Sequence, residues 1–430
     1  MRFRIKIIDQ YRGTDILAKY DNLKLLIKNN QDHESLRIQN LTELLITLKK
    51  TNNFYKPLLL EYSETEIKAN PEKILLTLPL IDKRTINEHY NLIYTPITGR
   101  PSQKKKTGGS TGEPFYYIVD KEHLSWMWAH NYLFWNLYSG YEPGDPFITI
   151  AGNSLRTVNR RFTENLYHIL QNNYFIKGDL IKPELDLNIP KLKSATLIYG
   201  YPSSIENILK TKPDFPSHFR NLKAIFTTSE QLLPKVRERI ESSFGKPVYD
   251  IYGANDGGIL GCECSNHNGY HYNSLNCYAE SINNESDLPE ILLTNLSSLN
   301  FPFIRYRVGD IGSIDDSTCT CGLSWPRITN LRGRTRDLIR TPDGKAIHGS
   351  FFNNIFYRYT LIDGYRIVQE KDYSLIVYIH VRNQPDFEEL AHKITDILTN
   401  EVPELKVEIK RMDERNPTNS KFKLIESHVN

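Results

Sequence analysis

An α/β body followed by a small α+β domain is the fold class this sequence predicts, on three observations. The middle of the chain repeats a short apolar run, a loop and a helix pattern, the rhythm of a sheet with ligands at the carboxyl ends of its strands. That rhythm gives way after about residue 333 to two hairpin patterns, one amphipathic helix and a last strand. The length of 430 residues also exceeds what one ordinary core accommodates.

Taken in order, the first hundred or so residues alternate helix patterns such as 40–50 (NLTELLITLKK) with Asn- and Lys-rich connections, and predict a largely helical lead-in with no catalytic signal. The stretch 104–115, KKKTGGSTGEPF, follows. Glycines let backbone N–H groups crowd an anion and the hydroxyls add donors, so a phosphate is the natural occupant. The spacing matches neither a Walker A loop nor G-x-G-x-x-G. Residues 123–139 read as an aromatic helix stopped by Gly140. Ala224–Thr228 reads as a buried strand, 232–245 as a helix closed by Gly245, and 247–253 as another strand ending in a loop.

In the C-terminal part, 337–349 predicts a hairpin turning at Pro342–Gly344, and 365–381 a second strand pair. The helix that follows carries Phe387, Leu390, Ala391, Ile394 and Leu398 on one face, with Asp386 and Glu389 at capping-box spacing. Residues 405–412 supply the final strand.

Composition excludes several functions. Lys and Arg number 54 against 51 Asp and Glu, a formal charge of +3, so no nucleic-acid partner is expected; Lys104–Lys106 is the one compact basic run, read as a loop tip. The N-terminus lacks an apolar signal-peptide core, and no apolar run approaches a membrane span, so a soluble cytoplasmic chain is expected. Four of the five cysteines form two C-x-C pairs, Cys262 with Cys264 and Cys319 with Cys321, and His267 lies close to the first. Such a set can close a tetrahedral structural Zn2+ site that fastens two loops; two unrelated reduced pairs are the alternative. His271 is a weaker candidate ligand, and Cys277 reads as a buried thiol.

Five motifs occur in a fixed order: TGGSTGEP (107–114), YGANDGG (252–258), RYRVGD (305–310), LRGRTRDLI (331–339) and NPTNSKFKLIESHV (416–429). Together they resemble the adenylate-forming superfamily of acyl-CoA synthetases. With YGYPSSI (199–205) and the two C-x-C pairs, the chain looks most like its phenylacetate-CoA ligase branch, which includes CapK-type proteins of polysaccharide biosynthesis. The resemblance implies an N-terminal adenylation domain over 1–335 and a mobile C-terminal lid over 336–430, hinged at Arg336. It implies attack of a carboxylate on the α-phosphorus of ATP, followed by acyl transfer to a thiol or an amine. Gly108, Gly109, Ser110, Thr111 and Gly112 would wrap the phosphates; Tyr252, with Gly253 and Glu230, would border the adenine. Asp256 would be the Mg2+-side carboxylate, Asp310 the ribose acceptor and Arg334 a support for ribose or phosphate. Lys421 would counter charge on the α-phosphate in the transition state.

The chain departs from the family pattern at four places. Phe115 stands where a Lys commonly follows the loop proline, so Lys104–Lys106 are expected to supply part of that charge. Asp256 replaces Glu, Asn255 replaces Ser or Thr, and Ser420 replaces Gly. In this branch the acid pocket would lie at Tyr199, Gly200, Tyr201 and Pro202, near the helix bearing Trp126 and Trp128, an aromatic lining suited to an aryl or compact apolar carboxylate. Three functions follow: an acid:CoA ligase using ATP, Mg2+ and CoA on a small-molecule carboxylic acid, a ligase that passes the acyl group to an amine, and a degenerate zinc-stabilised binding protein.

Overall fold

Alternation of apolar residues along the central strands decides how the chain folds, because it gives the sheet two buried faces. The computed structural model describes residues 2–29, 32–107, 115–151, 167–177, 190–254, 256–283, 288–334, 338–356, 359, 361–362, 364–381, 383–412 and 425–429. The chain forms two compact units, one of 1–280, 292–308 and 314–329, the other of 281–291, 309–313 and 330–430.

In the larger unit the expected helical lead-in runs from Phe3 to Ile93. Its longest helix, His33–Thr51, is capped by Asp32, whose carboxylate accepts the N–H groups of Glu34 and Ser35. Strands β1 (Ser102–Thr107) and β2 (Phe115–Asp120) then pair antiparallel. Lys104–Lys106 therefore lie in a strand and not at a loop tip, as the sequence had implied. The aromatic helix, Lys121–Ser139, is capped by Asp120 and stops at Gly140, which adopts φ 65°.

Five parallel strands follow: β3 (Phe147–Ala151), β4 (Asn173–Lys177), β5 (Leu197–Gly200), β6 (Ala224–Thr228) and β7 (Val248–Ala254), in spatial order β4-β3-β5-β6-β7. Strands β8 (Ile259–Glu263) and β9 (Tyr270–Tyr272) add antiparallel to β7. With β10 (Cys277–Asn283), β11 (Pro289–Asn295), β12 (Tyr306–Asp315) and β13 (Arg327–Arg334), the described residues make an 11-stranded sheet ordered β10-β11-β12-β13-β9-β8-β7-β6-β5-β3-β4.

Phe147, Leu197, Phe226, Tyr249 and Ile251 pack with Leu133, Phe134 and Trp135 of the aromatic helix. Their neighbours Ile148, Ile150, Ile198, Ile225 and Val248 join a second cluster with Ile205, Ile208 and Ile240 from the helices Pro202–Thr211 and Pro234–Phe244. Period-two alternation thus produces two cores, and each fully buried aliphatic or aromatic chain contributes roughly 1.5–3 kcal/mol. At Gly200 a Cβ would stand 2.0 Å from the Ile150 carbonyl oxygen, so only glycine lets the end of β5 lie this close to β3.

The smaller unit holds the expected hairpin of β14 (Leu338–Arg340) and β15 (Ala346–His348). Its sheet has the order β18-β17-β16-β19, built from β16 (Gly364–Gln369), β17 (Leu375–His380), β18 (Val407–Arg411) and β19 (Ile425–Ser427). Leu390, Ile394 and Leu398 of the helix Gln384–Glu401 pack against Ile367, Val377 and Ile379. That helix is capped by Asn383, which accepts the Asp386 N–H at 2.9 Å; the expected Asp386–Glu389 box does not form. Pro385 fits this start, since a proline in the first turn lacks only an N–H that would have no partner within the helix. Among the described residues no helix is long and apolar enough to cross a membrane.

Candidate active site and metal centre

Strand β7 delivers Tyr252 and Gly253 at its carboxyl end, and the turn into β8 carries Asp256. The turn is tight because Gly257 and Gly258 adopt φ 105° and 77°. A Cβ on Gly258 would fall 2.3 Å from the His123 ring and 2.2 Å from Asn295 Nδ2, so the backbone here is wedged against side chains of the larger unit. Burial pushes the His123 pKa down and keeps the ring neutral; its Nδ1 lies 3.0 Å from Ser297 Oγ.

Asp256 is 9% exposed and fully engaged on one oxygen. Its Oδ2 accepts the Tyr306 hydroxyl at 2.9 Å and stands 2.9 Å from Lys83 Nζ. Lys83 owes its position to backbone pairing: Ile81 accepts the Arg307 N–H at 2.8 Å and its own N–H donates to Arg305, which lays this segment beside Tyr306. Asp82 then caps the helix Lys83–Glu88 by accepting the Thr85 N–H. Lys83 Nζ also lies 5.5 Å from the centroid of Phe115, the first residue after the glycine loop. Phe115 stacks on Tyr117, whose pKa is raised by burial and, secondarily, by the charge of Asp256.

Among the described residues, Lys83 is a cation placed beside Phe115. Lys104 instead faces the Tyr116 ring at 4.4 Å and Tyr90 at 5.8 Å. Sequence reading missed Lys83 because its signal is a pairing between Ile81 and a strand more than two hundred residues away, with no local motif.

Other anticipated residues are placed as follows. Tyr252 is half-buried with its ring 6.2 Å from Tyr270. Glu230 accepts the Ser203 N–H at 3.1 Å in the first turn of the helix that Tyr201 caps and Pro202 starts; crowding by surrounding protein raises its pKa. Tyr199 packs on Trp135 at 5.3 Å. Trp126 donates its Nε1 to Glu122 at 3.0 Å, and Trp128 meets Tyr132. No ring contact joins Tyr199 to Trp126 or Trp128 among the described residues, and Trp126 lines a different cleft, with Asn40 and Asn276. Asp310 is buried in β12, and Arg334 ends β13. Gly108–Gly112, Asn255, Arg336 and Lys421 lie outside the described residues.

At the other end of the β7–β8 pair, four ligand atoms converge from Cys264, His271, Cys319 and Cys321, all within 4.8 Å of one another. Cys264 Sγ and Cys319 Sγ are 3.8 Å apart, close to the edge of roughly 3.8 Å that a tetrahedron with Zn–S bonds of about 2.3 Å requires. His271 Nδ1 donates to the Trp325 carbonyl at 2.7 Å, which leaves Nε2, 3.3 Å from Cys321 Sγ, as the lone-pair nitrogen. Burial lowers the His271 pKa and favours that neutral form. Gly322, at φ 87°, returns its N–H to the Cys319 carbonyl, and the Leu323 N–H points at Cys321 Sγ at 3.5 Å.

The convergent set differs from the anticipated ligands in two places. Strand β8 ends at Glu263, so Cys264 turns away into the loop while Cys262 stays packed in the aromatic core at 0% exposure. His267 bonds to Glu263 and Arg237 instead, with its Nδ1 3.2 Å from each. His271, the weaker candidate, takes the fourth place because β9 pairs with β8 and sets it opposite Cys262 in register.

No family model matches the chain. Among known sequences, protein CapK of Staphylococcus aureus is 22% identical over 386 residues, spanning 87% of this chain and 84% of CapK. Among solved structures, 2-hydroxyisobutyryl-CoA ligase in the postadenylation state, in complex with R3-HIB-AMP, aligns with a TM-score of 0.69 at 17% identity, over 91% of this chain and 88% of the ligase. The fold is that of this CoA ligase. ATP-bound MatB from Rhodopseudomonas palustris aligns less fully, with a TM-score of 0.51 at 15% identity over 74% of this chain and 65% of MatB. The large α/β unit and the separate small α+β unit are both features of the CoA-ligase fold.

Proposed function

We propose that the chain is an ATP-dependent carboxylate-activating ligase that forms an acyl-adenylate and pyrophosphate, then passes the acyl group to CoA. The observation that carries this reading is the turn after β7, where Asp256 is held by Lys83 and Tyr306 next to Phe115, the residue that closes the glycine loop. In the reaction a carboxylate oxygen attacks the α-phosphorus, the bond to the β-phosphate oxygen breaks, and pyrophosphate departs. Gly108–Gly112 would wrap the departing phosphates, with Lys83 and Lys421 countering their charge and that of the α-phosphate. Tyr252, Gly253 and Glu230 would border the adenine, and Asp310 with Arg334 would orient the ribose. Mg2+ arriving with the nucleotide would neutralise phosphate oxygens, and Asp256 is the hard carboxylate present for it, already balanced by one lysine.

The acid is proposed to be an aryl or compact apolar carboxylate, bordered by Tyr199, Gly200, Tyr201 and Pro202, with Trp135 in place of Trp126 and Trp128 as the packing partner of Tyr199. Cys264, His271, Cys319 and Cys321 are proposed to hold a structural Zn2+ that ties the β8–β9 turn to the 319–322 turn; the neutral His271 and three thiols are the donor set such an ion takes. The similarity to CapK keeps an amine acceptor as the second reading. Carboxylate-dependent exchange of labelled pyrophosphate into ATP, without CoA, tests the adenylation step across aryl, short aliphatic and amino acids. An active acid is the expected outcome, and the same acid offered with CoA or with amines then identifies the acceptor. Intact ATP binding without exchange for any acid would refute the ligase reading.

A further inference from the structure

We infer that the outward face of the first helix, Phe3–Arg12, docks the larger unit on a membrane surface rich in anionic lipid headgroups. The helix has two unlike faces. Ile5 and Ile8 are buried in the core that also holds Ile16, Leu17 and Tyr20 of the next helix, Ile16–Lys28. Each residue turns about 100° around the axis, so Phe3, Ile7 and Tyr11, four residues apart, form one row on the side away from Ile5 and Ile8. Phe3 is 72% exposed and Tyr11 66%, with Ile7 half-buried between them.

Cations flank that row, the exposed Lys6 on one side and the exposed Arg4 on the other. Arg4 also donates to the Ile169 carbonyl at 3.1 Å, which brings Ile169, 55% exposed, to the edge of the face. The acids nearby are committed elsewhere. Asp9, the one acid of the helix, turns inward and accepts the Thr14 hydroxyl at 2.7 Å and the N–H groups of Ile16 and Leu17. Asp21 pairs with Arg2. Beside Phe3 an open groove of about 390 Å3, lined by Arg2, Lys6, Leu17 and Asp21, leaves Lys6 to meet a headgroup phosphate.

Charge and shape together select the occupant. Fixed cations complement an anionic surface, and aromatic and aliphatic side chains in a row between them suit the boundary of headgroups and acyl chains. A nucleic acid would answer the cations and leave Phe3 and Tyr11 in water. A second copy of the chain would set Arg4 and Lys6 against their own kind. Ile5 and Ile8 already anchor the helix and Gly13 ends it at φ 61°, so docking orders no new segment and forfeits little entropy.

Co-sedimentation of the full chain with vesicles tests the inference, one set made of phosphatidylglycerol and phosphatidylcholine in equal parts, the other of phosphatidylcholine alone. Binding to the anionic set is expected to be about tenfold tighter or more, and to weaken about tenfold between about 0.05 M and about 0.5 M NaCl. Phe3→Ser combined with Tyr11→Ser, at exposed positions that leave the core intact, should weaken it about tenfold, and Lys6→Glu should do the same. Leu76→Ser, at an exposed leucine of the helix Pro71–Thr77, should leave it unchanged. No sedimentation with the anionic vesicles, equal binding to both sets, undiminished binding in the Phe3 and Tyr11 variant, or an equal loss in Leu76→Ser would overturn the inference. A dimer in light scattering that Phe3→Ser dissociates would assign the face to a second copy and overturn it as well. Lipid binding is read without ATP, so the result stands apart from the adenylation reading.

Discussion

The two ends of the β7–β8 pair bury polar groups by opposite means. At the Asp256 end a carboxylate meets a lysine and a tyrosine hydroxyl, each at 2.9 Å, so charge and hydrogen bonds are balanced by protein alone. At the Cys264 end three thiols and one imidazole converge with their lone pairs inward, and the imidazole N–H is already spent on the Trp325 carbonyl. A balanced ion pair is complete without a guest and can be lent to phosphate chemistry. A convergent donor set holding the proposed metal would draw its stability from that ion, so the two ends should respond differently to the loss of one side chain.

The largest expected effect is at the charged end. Lys83→Met removes the lysine paired with the Asp256 carboxylate, keeps the Tyr306 hydroxyl on it, and removes a cation from beside Phe115. Pyrophosphate exchange should fall on the order of 10²-fold, the usual loss when one charge-stabilising group is deleted, and Lys83→Arg should restore part of it. Equal activity in Lys83→Met would show that the pair is purely architectural. At the thiol end Cys319→Ser and His271→Ala should each abolish stoichiometric zinc and lower the melting temperature, whereas Cys262→Ser and His267→Ala should keep the metal. Metal content by elemental analysis checks this, and zinc loss in Cys262→Ser would restore the spacing-based assignment.

How far each end was legible in sequence follows from how local its determinants are. Strands β6 and β7, the helix Pro234–Phe244 and the aromatic helix are written in contiguous runs with glycine stops, and they appear where periodicity put them. Asp256 was legible because its motif is local. Lys83 was not, since a bridge between Ile81 and Tyr306 positions it. The C-x-C spacing pointed to a cluster of donors but not to its membership, because Cys264 leaves the strand that still holds Cys262, and His271 arrives on the neighbouring strand. The three-residue strand Ile425–Ser427 is too short to carry a period, and its parallel pairing with β16 is tertiary information.

Asp250 lies on β7 between the two ends and gives an effect that is read in stability and not in activity or metal content. It is 5% exposed, accepts Thr227 Oγ1 at 2.5 Å and the Tyr270 hydroxyl at 2.8 Å, and its own N–H donates to Glu263. Burial raises its pKa from 3.8 to about 7, against the pull of those hydroxyls. A carboxyl whose folded pKa is raised holds its proton more tightly in the folded state. Its contribution is therefore complete below the unfolded value of 3.8 and is lost as pH rises towards 7. Asp250→Asn removes that titration and keeps an oxygen for Tyr270, with the amide donating to Thr227. From pH 4 to pH 8, urea unfolding should show the variant gaining on the parent by on the order of 2–4 kcal/mol, at ~1.4 kcal/mol per pKa unit. Parallel curves would mean that Asp250 ionises as an ordinary carboxylate, and that the middle of β7 is balanced by charge in the way its Asp256 end is.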